Sequence, residues 1–191
     1  MQQAAEKVFQ VGSKWLRIDQ TTVGWDNTLL TSIVKTPNQI RYSVNSIELE
    51  QWSIGTKYLI ELRGDEGKTL SIPFKSYFGI GRKRKYEIFN EVIDVLMDYF
   101  FIDPWNQILE RWADGETWSI GKYEMGPEGI TKSYSDRAVF IAFDDMKALN
   151  RYDHVLINSI SDHKKFMKLD FRQDWNWPLV NKMLMNLDIW N

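Results

Sequence analysis

The chain has 191 residues and a formal net charge of −2, and 43% of its side chains are hydrophobic and 14% aromatic, nine of them tryptophans. This apolar area excludes a disordered chain and predicts packed cores. The absence of cysteine excludes disulfides, thiolate zinc sites and cysteine nucleophiles. Without a basic surplus, the composition is not that of a nucleic-acid-binding protein.

Residues 1–7 have neither the basic start nor the apolar stretch of a secretory signal. The longest apolar run, residues 92–102, is interrupted by Asp94 and Asp98 and falls short of the roughly 18 residues that a membrane helix needs. We therefore expect a cytoplasmic protein whose contact with a membrane, where it exists, is peripheral.

Strands and turns are predicted from the first residues up to residue 74. A strand pair surrounds the turn 19–22, and further strands contain residues 40–42 and 47–49. A hairpin follows, with strands at 58–62 and 70–74 and a turn at 64–67. An amphipathic helix then carries an apolar face made of Ile88, Phe89, Val92, Ile93 and Leu96.

Asp103 and Pro104 predict the start of a second helix, because Asp is a favoured cap and Pro fits the first helical position. Trp105, Ile108 and Trp112 share one face of this helix. The prediction is a short linker helix within residues 102–114 that packs against a domain.

The rest of the chain repeats the first part. Strands at 155–159 and 167–171, with a turn at 161–164, match the first hairpin at a constant offset of 97 residues. The front strands match at an offset of 107, with the turn 126–129 in place of 19–22. A last helix follows Asn176 and Pro178, and its apolar face is Leu179, Val180, Met183, Leu184 and Leu187.

The second copy opens with motifs that resemble the bacterial pleckstrin-homology-like domains. Residues 110–130 contain Gly115–Glu116, Gly121 and Glu128-Gly129-Ile130, and residues 143–146 read Phe-Asp-Asp-Met. The resemblance implies a bent antiparallel sheet with a C-terminal helix over one open end. It also implies binding of lipids, peptides or proteins, and it transfers no catalytic residue.

The prediction is therefore an α+β chain of two pleckstrin-homology-like domains. The first spans residues 1–101 and the second residues 115–191, with the linker helix at 102–114 between them. Each domain is expected to be a bent antiparallel sheet or partial barrel capped by its C-terminal helix.

The first copy has six more residues than the second between hairpin and helix, and four of them are consecutive cations. We interpret this basic loop as a candidate site for a phosphorylated head group or an acidic partner surface. The alternative is a solvated loop, although cations before a helix oppose its dipole. Gly79 and Gly81 lack the spacing of a phosphate-binding loop and are interpreted as turn formers. The candidate residues are Lys75, Arg82, Lys83, Arg84 and Lys85.

Three tryptophans form a second candidate surface. Trp175 and Trp177 bracket the start of the last helix, and Trp190 stands next to the final residue of the sequence. Exposed aromatic side chains are typical of partner sites. The alternative is that these rings fill a core or a domain boundary.

Catalytic signatures are weak. The two histidines, His154 and His163, lie at opposite ends of a predicted strand, which does not suit a shared metal. Asp144 and Asp145 are adjacent, so on a strand they would point to opposite faces. We expect no enzyme, no metal and no cofactor.

The sequence therefore predicts a non-enzymatic binding or scaffold module that recognises a protein through a sheet edge or an aromatic surface. The alternative is a peripheral membrane module that binds anionic lipid head groups through residues 82–85. No nucleic-acid partner is expected, and the oligomeric state is left open.

Overall fold

The computed structural model describes residues 5–27 and 30–187. The chain divides into two compact units, Met1–Asp103 and Pro104–Asn191. Among the described residues, the strand pairs of both units are antiparallel. Because strands and helices occupy separate stretches of the chain, the predicted α+β class is confirmed.

Within residues 5–27 and 30–103, the first unit contains seven strands in two sheets. Four strands form a meander in the order β1-β2-β3-β4, and three longer strands form a second meander, β5-β6-β7. The strands are β1 (Lys7–Val11), β2 (Lys14–Ile18), β3 (Thr22–Asn27), β4 (Leu30–Lys35), β5 (Pro37–Leu49), β6 (Trp52–Gly64) and β7 (Thr69–Tyr77). Helix α1 (Arg82–Leu96) follows, and a π-helical turn, Met97–Phe101, continues it.

The second unit has the same order of sheets. Four short strands form the sheet β11-β10-β9-β8, and three form the sheet β12-β13-β14. The elements are α2 (Ile102–Ala113), β8 (Trp118–Ile120), β9 (Tyr123–Met125), β10 (Gly129–Ser133), β11 (Ala138–Ala142), a 3₁₀ turn (Phe143–Asp145), β12 (Met146–Asn150), β13 (His154–Ser159), β14 (Phe166–Asp170) and α3 (Trp177–Asn186).

The start of α2 differs from the sequence expectation. The backbone is already helical at Ile102, with φ −67 and ψ −45, so Asp103 is not the cap. Pro104 is not in a first turn either, because α1, the π-helical turn and α2 follow one another without a break. Its missing N–H removes an intrahelical donor just after the π-helical turn, where the regular hydrogen-bond ladder is already interrupted. Within the second unit, Trp105 is buried and Trp112 packs edge-on against Phe143 at 6.1 Å.

The front strands of the two units pair in equivalent register. Ile18 lies opposite Val23 across one turn, and Met125 lies opposite Ile130 across the other. Both pairs are related by the offset of 107 residues that the sequence indicates. The offset of 107 therefore describes both the sequence match and the strand pairing.

The matched hairpins, by contrast, do not pair in equivalent register. Tyr58 lies opposite Phe74, whereas Val155 lies opposite Leu169 rather than Phe171. The offset of 97 therefore aligns the strands in the sequence but not their pairing. In the second hairpin each residue of the first strand pairs with a partner two positions earlier than the offset predicts. In an antiparallel ladder a shift of two residues keeps every side chain on its face, so the apolar alternation survives it.

The C-terminal helix of each unit buries its apolar face. In α1, Phe89, Val92, Ile93 and Leu96 are buried as predicted, while Ile88 is only half-buried. In α3 the buried face runs from Trp177 to Leu184. Asn176 precedes α3 in a left-handed conformation, φ 58, and Pro178 occupies the first turn.

The turn between β2 and β3 is organised by one carboxylate. Asp19 accepts hydrogen bonds from the backbone N–H groups of Thr21 and Thr22, at 2.7 and 2.8 Å, and from both hydroxyls. These donors, the Thr22 hydroxyl foremost, lower the pKa of Asp19 to about 2. A carboxylate that is stabilised only in the folded state adds to the free energy of unfolding above its unfolded pKa.

Replacing this carboxylate therefore destabilises the protein in a pH-dependent way. We expect Asp19→Ala to lower the free energy of unfolding by about 1 kcal/mol at neutral pH, a value reduced for solvent screening. The difference from wild type should shrink as the pH falls from 3.8 through about 2, because the lowered pKa is that of the folded state. Urea denaturation at several pH values measures it, and a difference that does not change with pH would contradict it.

Candidate functional site

The four consecutive cations lie in a helix and not in a loop, which corrects the sequence interpretation. Gly79 and Gly81 adopt positive φ, at 73 and 65, and end the turn after β7. The N–H of Arg82 then donates to Gly79 O at 3.2 Å, and that of Lys85 donates to Gly81 O at 3.0 Å. Residues 82–85 are thus the first turn of α1, and we call them the basic turn.

Lys75 joins the basic turn through the backbone. It lies on β7, its side chain is exposed, and its carbonyl accepts a hydrogen bond from the Lys85 ammonium. Lys57 on β6 lies directly opposite Lys75. Like charges opposite each other in a sheet are destabilising, so this arrangement costs stability. Lys57 was missed by the sequence analysis, although the predicted hairpin register contained the signal.

Carboxylates compensate the basic turn only weakly. The first turn of α1 contains no acidic residue and its cap makes no side-chain hydrogen bond. Arg84 reaches Glu87 at 3.8 Å in an exposed pair, and such pairs contribute little. The cations also face the positive end of the helix dipole. The basic turn is therefore available for an external anion.

Charge reversal in the basic turn should stabilise the fold. Arg82→Glu and Lys83→Glu place carboxylates at the helix N-terminus, and we expect each to raise the free energy of unfolding by about 0.3–1 kcal/mol. Thermal or urea denaturation at low salt measures the effect. Lys164→Glu and Lys165→Glu, at two exposed lysines of a turn in the second unit, are the matched controls. A loss of stability in the helix variants alone would show that the cations have structural partners.

A groove of about 510 Å³ runs between β1 and the N-terminal half of α1. Ile88 supplies partly accessible apolar surface to it, and Phe74, which also lines it, is fully buried. Its cations are Lys7 from β1 and Arg84 and Lys85 from the basic turn, and Glu91 is the acidic residue of its lining. The lining of the groove thus combines apolar side chains with more cations than carboxylates.

One side of this groove is a free strand edge. In the part of the chain that the structure describes, β1 pairs only with β2. Val11 lies opposite Lys14 across a two-residue turn with Gly12 at φ 67, and such a turn is closed by a hydrogen-bonded pair. The alternation of the ladder then directs the N–H and C=O of Val8 and Gln10 outward, away from β2.

The second unit contains a buried polar cluster that the sequence analysis missed. Lys132, Tyr123 and Asp174 are each at most 6% exposed. One Asp174 carboxylate oxygen lies 2.9 Å from Lys132 Nζ and accepts a 2.6 Å hydrogen bond from the Tyr123 hydroxyl. It also accepts the N–H of Asp170 at 2.9 Å. The sequence signal was a lysine two positions after Ile130, on the inward face of β10.

Burial dominates the electrostatics of this cluster. Desolvation, followed by the charge of Asp174, raises the pKa of the Tyr123 hydroxyl, and desolvation lowers the pKa of Lys132. All three polar groups are satisfied by each other and by the backbone. The arrangement ties the segment after β14 to the inner face of the sheet β11-β10-β9-β8.

Breaking the buried pair should be costly. Lys132→Met leaves the Asp174 carboxylate buried without its cation, and we expect a loss of about 3–5 kcal/mol in the free energy of unfolding. Lys168→Met is the control, because Lys168 is 41% exposed and its pair with Asp170 is accessible to water; that loss should stay below about 1 kcal/mol. Urea denaturation compares the two, and equal losses would contradict the buried assignment.

The prediction that three tryptophans form an exposed surface is wrong for Trp177. Trp177 is only 4% exposed and stacks on Phe171 with ring centroids 4.1 Å apart. It belongs to the buried face of α3, because the first turn of that helix packs inward. Trp175 is half-buried. Trp190 lies outside the described residues.

The histidines and acidic residues that the sequence singles out do not form a common site. His154 Nδ1 contacts Asp153 at 2.6 Å, and His163 is exposed in the turn between β13 and β14. Asp145 organises its own loop through Ser159 and Ser161. Within residues 5–27 and 30–187, no three His, Asp or Glu side chains are grouped so as to hold a metal ion.

No protein-family model matches the sequence, and no curated protein is significantly similar to it. Among the described residues, no helix has both the length and the apolar character needed to cross a membrane.

Proposed function

We propose that the chain consists of two pleckstrin-homology-like domains and acts as a non-enzymatic binding module for a protein partner. The common order of a four-stranded meander, a three-stranded meander and a C-terminal helix supports this assignment. The absence of cysteine agrees with the reducing cytoplasm in which we place the module.

The buried cluster supports a non-enzymatic role. Lys132, Tyr123 and Asp174 are closely coupled titratable groups, and such groups are the usual components of acid and base catalysis. Here they are enclosed by the sheet and by each other, so no substrate reaches them. Their role in the proposal is structural.

The free edge of β1 in the groove is the observation that carries the proposal. An extended segment that lies along β1 would pair with the outward N–H and C=O groups of Val8 and Gln10. Its other side would face α1, with Arg84 and Lys85 on the rim and Ile88 below them. Strand addition of this kind obtains affinity from the main chain and specificity from the flanking side chains.

The residues that line the groove indicate which kind of segment would bind there. Carboxylates on alternate residues of the segment would meet Lys7, Arg84 and Lys85, and the intervening apolar residues would meet Ile88. The expected partner segment is therefore extended, acidic and alternately aliphatic. Its binding should weaken with salt, because the cations that attract it are near the surface.

A peptide of alternating glutamate and valine, about ten residues long, tests the proposal. Binding should slow the amide hydrogen exchange of Val8 and Gln10, which face the free edge, and it should weaken in Gln10→Pro, which removes one of these donors. Gln10→Ala is the matched control, because it keeps the N–H and should bind as wild type does. Isothermal titration and exchange measured by NMR are the readouts.

Exchange in the wild-type protein makes the test independent of whether Gln10→Pro folds. Binding that protects other strands and leaves Val8 and Gln10 unprotected would overturn strand addition at β1. Equal affinity of Gln10→Pro and Gln10→Ala would overturn it as well.

A further inference from the structure

One end of the sheet β5-β6-β7 exposes large apolar side chains on two neighbouring segments. Trp52 and Phe78 are each 76% exposed, and Ile80 is 74% exposed. Leu49 and Tyr77 are exposed as well. Single exposed apolar residues are ordinary, but several together mark a contact surface. We call these five residues the apolar tip.

A β-bulge at the start of β6 determines which face of the sheet carries Trp52. The pairing of β5 with β6 shifts between Ile47 and Glu48, so that Ile54 is the extra residue of the bulge. An extra residue moves the alternation of a strand by one position. Trp52 therefore lies on the same face of the sheet as Gly55, although three positions separate them.

The strand pairing then joins the apolar tip into one strip. Leu49 lies opposite Trp52, and Tyr77 lies opposite Gly55. Residues that are opposite each other share a face of the sheet, and Gly55 has no side chain to separate the two rings. The N–H of Phe78 donates to a carbonyl of β6 at 2.8 Å, so the loop after β7 continues the strip.

Charges of opposite sign flank the apolar tip on its two segments. Glu48 and Glu50 are exposed at the end of the β5–β6 hairpin, beside Leu49. Arg82 and Lys83 are exposed at the start of α1, directly after the loop, and their own helical turn contains no acidic residue. One end of the surface is therefore acidic and the other basic, with the apolar side chains in between.

We infer that the apolar tip joins two copies of this chain in a two-fold symmetric dimer. A two-fold contact places the hairpin of one copy on the loop of the other, and the reverse contact follows by symmetry. The apolar side chains then pack at the centre. Glu48 and Glu50 of each copy meet Arg82 and Lys83 of the other at both ends, so the surface is complementary to itself.

The size of the surface and the position of the charges both suit a second copy. Aromatic side chains of this kind bury about 150–250 Å² each, so the apolar tip with its flanking charges approaches the roughly 800 Å² per partner of a standard interface. Carboxylates from the second copy would also lie at the positive end of the α1 dipole, where negative charge is stabilising. Dimer formation thus offsets the unfavourable cations of the basic turn.

Sedimentation equilibrium of the full chain tests the apolar part of the contact. We expect a reversible dimer with a dissociation constant in the micromolar range. Phe78→Ser with Ile80→Ser should raise this constant at least about a hundredfold, because symmetry removes each side chain from both copies. Tyr152→Ser with Ile160→Ser, at two exposed apolar residues of the second unit, is the matched control and should dimerise as wild type does.

A charge exchange between two variants tests the two-fold arrangement. Glu48→Lys with Glu50→Lys, and separately Arg82→Glu with Lys83→Glu, should each weaken the dimer at least about tenfold at low salt, because like charges then meet at both ends. An equimolar mixture of the two variants should form a heterodimer with wild-type affinity. In the mixture the introduced charges attract each other at one end, and the original charges attract each other at the other end.

Three outcomes would overturn the inference. A chain that stays monomeric throughout the micromolar range assigns the apolar tip to a different partner. A dimer that is unaffected by the Phe78 and Ile80 substitutions forms elsewhere, and a mixture that does not restore the dimer excludes the two-fold pairing of charges. The result is independent of the peptide proposal, because Gln10→Pro should dimerise as wild type does and the Phe78 and Ile80 variant should bind the acidic peptide normally.

Discussion

The enclosure of Phe89 by three rings of the sheet is the contact on which the first unit depends. Its ring lies 5.2 Å from that of Tyr58, 5.8 Å from Phe74 and 5.9 Å from Tyr42. Aromatic groups of this size dominate the energy of a small core, and edge-on contacts limit how a helix can rotate. The docked position of α1 in turn determines where its first turn, the groove beside β1 and the loop after β7 are presented.

The two units use the start of their C-terminal helix in opposite ways. In α1 the first turn is cationic and exposed, and the loop before it is strained at Phe78. In α3 the first turn is apolar and buried, with Trp177 stacked on Phe171, and Asp174 just before it is neutralised by Lys132. The start of α3 is stabilised by its neighbours, whereas the start of α1 retains unfavourable charges.

Much of the fold was accessible to sequence reasoning, because it depends on local patterns. The faces of α1 and α3 and the strands of both hairpins follow from apolar periodicity. Strand register was harder to predict. The pairing in the hairpin of the second unit is shifted by two residues from the pairing that its sequence match suggests. A shift of two residues leaves the pattern of inward and outward residues unchanged, so periodicity cannot detect it. The helical start at Arg82 was missed because two glycines suggested a longer loop.

By itself the sequence determined the α+β class, the repeated plan and the presence of a basic segment. These features can be read from composition and from the periodicity of short stretches of the chain. Only the tertiary structure decided which side chains meet. It buried Trp177, placed Lys57 opposite Lys75, paired Lys132 with Asp174 across 42 positions, and left the outward edge of β1 beside the cations of α1. These juxtapositions depend on strand pairing and helix docking between distant segments, and on the burial that results, which no local pattern encodes.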